Sequence, residues 1–525
     1  MKLISSLFNN VYLYFKNRPR LDYLLLALGL MVFATIALLN ASRASIWFDE
    51  AFSAYISQFS FWDIARYTAA DVHPPLYYWL LKIWSSLFGT TEIAYRSLSL
   101  LFGLGAITTT FILTKKLFGR SVAAVSLLFL SLSPMLIRYS DEARMYTLAS
   151  LIVMAATYVL VKVHATKNKK LWALYGLLVS LGMWTHYFTA LAWLAHWAWW
   201  FMLKRQKSQG LTKNIKAMFT KEWVMSYAVA VGLFIPWAVV MLWQLGVVQG
   251  TGFWIGRVGT YTVGNYFSNM FYYLEQALVQ PWAALLLIAT LAVIIICTPR
   301  AYRSLNSTEK KWFRLFALLA WLPPVLLFLA SLPPLRSSFV ERYLIPAFVA
   351  AMVYFAVVLV VGTRHWKMRW RAVPILTIAG MMIFGITNVY EYGNYNKNSN
   401  THILTRQVVE ATRQTSYATA PIVAADPWVF YEAAPYETAS QKVYFIDENT
   451  GYDYGSLMML QDNSLHKITN LAQFKVENSL FWYFASTDKP EVQPYEKNWK
   501  PIQTVSVKSP ITGSTSYKAT LYSVN

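Results

Sequence analysis

The sequence predicts a polytopic α-helical membrane protein of about eleven spans with a small C-terminal α/β domain, and three observations predict it. The first is composition: of 525 residues, 56% are hydrophobic and 14% charged, whereas soluble domains carry about a quarter charged residues. The second is the recurrence of apolar runs some twenty residues long, enough to cross roughly 30 Å of hydrocarbon. The third is a change near Tyr392, where the chain turns polar through the Asn-rich stretch NYNKNSN and then alternates short apolar runs with turn-forming residues.

The long runs lie near 21–40, 93–114, 121–138, 145–162, 171–186, 187–203, 223–245, 277–298, 313–332, 342–362 and 373–391. The first has no early small-residue cleavage site and reads as a retained signal anchor. The stretch 74–88 (PPLYYWLLKIWSSLF) is apolar but short, interrupted by Lys82 and opened by a proline pair. It reads as an interfacial helix in the first outer loop, with a twelfth span as the alternative. Lysine and arginine in short loops stay cytoplasmic. Segments 1–20, 115–120, 162–170, 204–221, 299–314 and 363–371 hold 26 basic residues, against 8 in loops 41–72, 89–96, 138–144, 246–276 and 333–342. This bias puts the N-terminus in the cytoplasm and the C-terminus outside a plasma or inner membrane, and a crossing by 74–88 would break it. The net charge of +21 is therefore spread between spans rather than gathered on a nucleic-acid-binding face. Cys297, the only cysteine, excludes an intramolecular disulfide and a cysteine metal cluster. It reads as a lipid-facing or packing residue.

The predicted division is a membrane domain over 1–395 and an extracytoplasmic domain over 396–525, whose runs PIVAA, KVYFI and LFWYF look like strands and whose 402–414 stretch looks helical. No glycine-rich phosphate loop supports a nucleotide-driven reaction.

Carboxylates at membrane level are costly and tend to be functional. Asp49, Glu50, Asp63, Asp71, Glu92, Asp141, Glu142, Glu275 and Glu341 all fall on the outer side of this topology. Asp49 and Glu50 are adjacent in WFDEAF at the outer end of the first span. A base for an acceptor hydroxyl needs a carboxylate in hydrogen-bond reach, and a partly dry site raises its pKa toward that use. The same pair also suits a helix start, with Asp49 capping. In DVHPPLYYW, the prolines aim Asp71 and His73 rigidly, for structure or for chemistry. RYSDEARMY alternates charges around Asp141, Glu142 and Arg144, as a salt-bridged cap would also do. Arg336 reads equally as a snorkelling side chain, whereas Arg342, followed by Tyr343 and Pro346, is placed to grip a phosphate bidentately.

At these motifs the chain resembles the polyprenol-phosphate-dependent glycosyltransferases of the GT-C superfamily, in the bacterial family-39-like group related to protein O-mannosyltransferases and lipid A aminoarabinose transferases. The likeness rests on WFDEAFS, DVHPPLYYWL, the glycine and arginine of FGTTEIAYRSLS, SDEARMYTLAS and ERYLIPAFVAA, spread over residues 47–351. It implies an inverting membrane hexosyltransferase with a polyprenyl-phosphate sugar donor and a lipid, glycan or protein acceptor. It assigns the catalytic acid motif to Asp49 and Glu50, with Asp49 as base. Donor-phosphate binding falls to Arg342, His73 and Arg144, and substrate binding to Asp71, Tyr77, Asp141, Glu142 and Tyr343. The aminoarabinose enzymes have an arginine two residues after the glutamate and a lysine before the prolines, where this chain has Phe52 and His73. That departure argues against aminoarabinose, and the frequency of hexoses in the family points to a hexose such as mannose. The acid motif could serve with or without a divalent cation, so no cofactor is assigned. A transporter or flippase of lipid-linked sugars is the rival reading. It calls for charges near the bilayer midplane and for repeats with broken helices, whereas the charged motifs gather at one face.

Overall fold

A computed structural model describes residues 19–41, 43–164, 166, 168–206, 208–251, 255–273, 280–392, 395–396, 401–446, 459–460, 465–487, 499–510 and 513–524. The basic N-terminal stretch 1–18, Glu275 and residues 397–400 of the Asn-rich stretch lie outside them. The chain groups into two compact units, one of Met1–Leu38, Ser99–Asp141 and Met145–Val389, the other of Leu39–Leu98, Glu142–Arg144 and Tyr390–Asn525.

The first unit is helical. Among the described residues eight helices of the chain are long and apolar enough to cross a membrane: Arg20–Ala41, Glu92–Phe118, Tyr146–His164, Lys221–Gly246, Pro281–Ser304, Ser307–Ala330, Glu341–Gly362 and Met368–Glu391. The run predicted over 121–138 is broken into Arg120–Ser131 and Pro134–Ser140, bent by 57°. Proline has no N–H and keeps the preceding residue out of the helical region. Ser133 accordingly sits extended and caps the second piece by accepting from the Leu136 amide. As one bent span this pair makes nine. The runs at 171–186 and 187–203 form Lys169–Thr185 and Thr189–Lys204, of 17 and 16 residues. At 1.5 Å per residue each reaches only about 25 Å.

Helix Ile345–Gly362 is buried along its whole length and packs against Pro281–Ser304, Ser307–Ala330, Arg120–Ser131 and Tyr146–His164. A Cβ on Gly362 would stand 2.7 Å from the Cys297 carbonyl oxygen, so the glycine permits that approach. Cys297 is buried there, which selects packing over lipid contact. Outer helices expose Leu24, Val239, Leu285, Ile295 and Leu376, as helices bathed in hydrocarbon do.

The second unit begins with three short helices, Phe48–Ile56, Phe61–Ala70 and Leu76–Phe88. The last has 13 residues, about 20 Å and too short to span. Ser60 accepts from the Asp63 amide to start the second helix, and Trp79 Nε1 donates to the Phe61 carbonyl at 2.9 Å, tying the third to it. The C-terminal residues contribute strands β1 (Tyr395–Asn396), β2 (Thr401–His402), β3 (Ile422–Ala424), β4 (Val443–Ile446), β5 (Lys467–Ile468), β6 (Leu480–Ser486), β7 (Lys500–Lys508) and β8 (Thr515–Ser523). The first two form a small antiparallel ribbon, and the others a mixed sheet in the order β5-β4-β3-β6-β8-β7. The runs PIVAA, KVYFI and LFWYF supply β3, β4 and β6, which are mutually parallel, while β8 pairs antiparallel with β6 and β7. Helices Thr405–Arg413, Pro427–Ala433 and Leu471–Glu477 accompany the sheet. Val423, Ile468, Phe474, Phe481, Tyr483 and Trp499 build its core.

Candidate active site

Helix Phe48–Ile56 starts after Trp47, whose extended backbone occupies the cap position. Asp49 and Glu50 are thus both in the first turn, where carboxylates oppose the positive end of the helix dipole. Asp49 itself is not the cap.

Adjacent helical positions point about 100° apart, and this separates the two acids. Glu50 is 1% exposed. Its Oε1 and Oε2 accept from Arg96 Nε and Nη2 at 2.8 and 2.7 Å, and Oε1 also accepts from the Ala143 amide at 3.0 Å. Arg96, on helix Glu92–Phe118, donates further to the carbonyls of Ala41 (2.6 Å), Ala44 (2.8 Å) and Ser45 (3.1 Å). All five guanidinium N–H donors are thereby used within residues 41–50. Glu50, assigned with Asp49 to the acid motif, is thus buried and held to the loop through both of its carboxylate oxygens.

The Asp49 side chain keeps 21% exposure and lies 4.0 Å from Arg144 Nη2. Arg144 donates from Nη1 to the Tyr78 hydroxyl at 3.0 Å and to the Asp49 carbonyl at 3.4 Å. Its Nη2 is 3.3 Å from His73 Nε2, and His73 Nδ1 is 2.8 Å from Asp71 Oδ2. Arginine only donates, so Nε2 is the acceptor and Nδ1 carries the hydrogen given to Asp71. The tautomer is assigned by its partners. Local sequence sets this chain of contacts: Asp71 ends helix Phe61–Ala70, and Pro75 opens Leu76–Phe88. His73 is held in the short turn between them.

Tyr77 is fully buried edge-on to Tyr78, with ring centroids 5.9 Å apart. Tyr78 is equally buried, and its hydroxyl accepts from Arg144 Nη1. Phe52, where the aminoarabinose enzymes have arginine, packs edge-on to Tyr78 and Tyr431 at 6.0 and 6.2 Å. Glu142 is buried in the same turn as Arg144. The Arg144 amide donates to the Glu142 carbonyl at 2.7 Å.

Asp141, Arg342 and Tyr343 belong to the first unit. Asp141 pairs with Arg138 at 3.3 Å, and Arg138 Nε donates to the Tyr273 hydroxyl at 3.2 Å. Both charged side chains are buried, which is the arrangement of a salt-bridged cap. Arg342 lies half-buried in the 3-10 turn Glu341–Leu344. The Tyr343 ring stacks on Phe188 at 4.6 Å and 13°, with His186 at 4.9 Å.

Among the described residues no three His, Cys, Asp or Glu side chains converge to hold a metal ion.

Residues 72–243 match the family described as dolichyl-phosphate-mannose-protein mannosyltransferase. Among solved structures, the chain resembles ArnT from Cupriavidus metallidurans in the apo state at 12% identity, covering 94% of this chain and 97% of that one with a TM-score of 0.58. It resembles the same organism's ArnT bound to undecaprenyl phosphate at 11% identity, covering 95% and 97% with a TM-score of 0.55. No curated protein sequence gives a significant match. The family match thus covers about a third of the chain, residues 72–243, while the fold shared with the ArnT structures runs along nearly its whole length.

Proposed function

We propose that the chain transfers a sugar, a hexose such as mannose, from a polyprenyl-phosphate donor to an acceptor hydroxyl at the outer face of the cell membrane, with inversion. The observation that carries this reading is the division of labour in the acid motif: Glu50 is buried against Arg96 and the Ala143 amide, while the Asp49 side chain keeps 21% exposure beside Arg144. Asp49 takes the acceptor hydroxyl proton. The acceptor oxygen then bonds to the anomeric carbon as the bond from that carbon to the phosphate oxygen breaks, and the electron pair leaves with the lipid phosphate. Direct displacement inverts the carbon. Arg144, held by Tyr78 and His73, supplies positive charge toward the departing phosphate. Asp71 fixes the imidazole. The donor's own glycosyl phosphate bond supplies the driving force, so no nucleotide is required.

Three features support a lipid-linked donor: the family match over 72–243, the shared fold with an enzyme bound to undecaprenyl phosphate, and the cationic Arg144. Mannose is favoured by the description of the matched family, and Phe52 in place of arginine argues against aminoarabinose. The resemblance alone assigns donor-phosphate binding to Arg342 and substrate contacts to Tyr343, Asp141 and Glu142.

The test supplies membranes containing the native chain or Asp49→Asn with radiolabelled polyprenyl-phosphate hexoses. Loss of a general base predicts a fall in transfer of about 10²-fold or more. Equal rates would remove Asp49 as the base. Label crossing the bilayer without covalent transfer by either chain would favour the flippase.

A further inference from the structure

We infer that the C-terminal segment 405–436 is a positioning element of the catalytic loop, with Gln407 and Tyr436 holding the backbone that leads into Asp49. This inference rests on reading Asp49 as the base.

Residues 43–47 join the first span to the helix that carries Asp49. Arg96 holds this loop by the Ala44 and Ser45 carbonyls, which leaves the Ile46 amide and the Ser45 hydroxyl to be satisfied elsewhere. The C-terminal segment satisfies both. The Ser45 hydroxyl donates to Gln407 Oε1 at 2.8 Å, and the Arg406 amide donates to Ser45 Oγ at 3.2 Å. The Ile46 amide donates to the Tyr436 hydroxyl at 2.8 Å, three residues before Asp49. That hydroxyl in turn donates to the Glu92 carboxylate. Arg406 pairs with the same carboxylate and donates from Nη2 to the Arg43 carbonyl at 3.2 Å. Ser45 and Ile46 are buried, so each of these groups would lose a hydrogen bond and gain no water in exchange.

The helix after the loop is held by the same segment. Phe48 meets Trp428 at 4.2 Å and Tyr431 at 5.8 Å, and Tyr55 meets Phe430 and Tyr431 at 5.6 and 5.3 Å. Helix Pro427–Ala433, which carries these partners, packs on β3 and β4, and the Tyr517 hydroxyl of β8 donates to its Glu432. The six-stranded sheet is therefore the rigid body against which the Asp49 helix is set. Burial, and then the adjacent Glu92 carboxylate, push the Tyr436 hydroxyl well above the ordinary phenol range, so it retains its proton through the whole working range.

A base displaced by 1 Å can cost about 10²-fold in rate. Removing the clamp should therefore act on turnover and leave donor affinity alone. Tyr436→Phe deletes one hydroxyl without opening a cavity. Gln407→Ala leaves the Glu92–Arg406 pair and the Tyr436 hydroxyl in place, and supplies the same readout should Tyr436→Phe fail to fold. Both are compared in membranes with the native chain and Asp49→Asn, using radiolabelled polyprenyl-phosphate hexose, and amide exchange is followed over residues 41–56. The expected result is a kcat lowered about 10- to 100-fold at an unchanged donor KM, with faster exchange in 41–50 and unchanged exchange in β6 and β8. Native kcat in the folded variants overturns the inference, as does a raised acceptor KM at native kcat, which would make the segment a recognition surface. Failure of the functional reading looks different: either the native chain transfers nothing or Asp49→Asn transfers at the native rate.

Discussion

Arg96 spends every N–H donor on residues 41–50, which makes it hard to replace by another cation. Lysine has a single ammonium with three donors and cannot chelate Glu50 while reaching three carbonyls. Breaking a buried pair by removing one partner typically costs about 3–5 kcal/mol. Arg96→Lys and Glu50→Gln are therefore expected to lower the unfolding temperature of the detergent-solubilised protein, while Asp49→Asn leaves it close to native and abolishes transfer. Equal stability of Glu50→Gln and the native chain would show that the pair does not hold the loop. The acid pair was legible in the sequence because carboxylates at membrane level are costly and rarely idle. The resemblance already gave the base to Asp49 and support to Glu50, but the partner that holds Glu50 was not legible, because Arg96 lies 46 positions away in FGTTEIAYRSLS, a motif that marked the resemblance without revealing its task. Tyr78 was overlooked beside Tyr77 for a related reason: both rings are fully buried, and only the distant Arg144 guanidinium, which donates to the Tyr78 hydroxyl, sets one apart. Gln407 and Tyr436 gave no sequence signal, since each is an ordinary polar residue some 360–390 positions from its partner.

At the scale of elements, hydropathy read the helices well because their outer faces meet hydrocarbon, and it bounded Lys169–Thr185 and Thr189–Lys204 closely, yet it could not see the break at Pro134. In the C-terminal sheet, strands buried on both faces announced themselves as apolar runs, whereas β7, largely exposed, did not. One element joint there carries a pH dependence. Glu437, between the 3-10 turn Ala434–Tyr436 and β4, is raised by burial. Hydrogen bonds from His466 Nε2 (3.0 Å), Lys442 Nζ (2.7 Å) and the Val443 amide (3.1 Å) outweigh this and hold it at about 2, below its ordinary 4.5. A depressed acid stabilises the fold above its unfolded pKa, and that contribution is lost as pH falls through the folded one. The native protein is thus expected to lose up to roughly 3 kcal/mol between about pH 4.5 and pH 2 from this group. Thermal unfolding across that window checks it: the stability difference between the native chain and Glu437→Gln should shrink as pH falls, and a constant difference would remove the linkage.

At the scale of the whole molecule, residues 39–98, the turn 142–144 and residues 390–525 form one compact unit despite lying hundreds of positions apart. Composition alone divides a chain where its solvent changes, and so suggested a boundary near residue 395. It is silent on which distant segments share a core. The consequence bears on what the C-terminal residues are for. Were they only a module for choosing acceptors, deleting 400–525 would leave a chain able to pass sugar to an alternative acceptor or to water. The clamp on Ser45 and Ile46 and the aromatic seat for Phe48 and Tyr55 predict otherwise. The deletion leaves buried polar groups of the loop unpaired and a cluster of aromatic rings uncovered. Transfer to any acceptor, and hydrolysis of the donor, should both fall by about 10²-fold or more in truncated protein that still inserts and elutes as a single species. Donor hydrolysis at the native rate in that preparation would show that the Asp49 site stands without its C-terminal support.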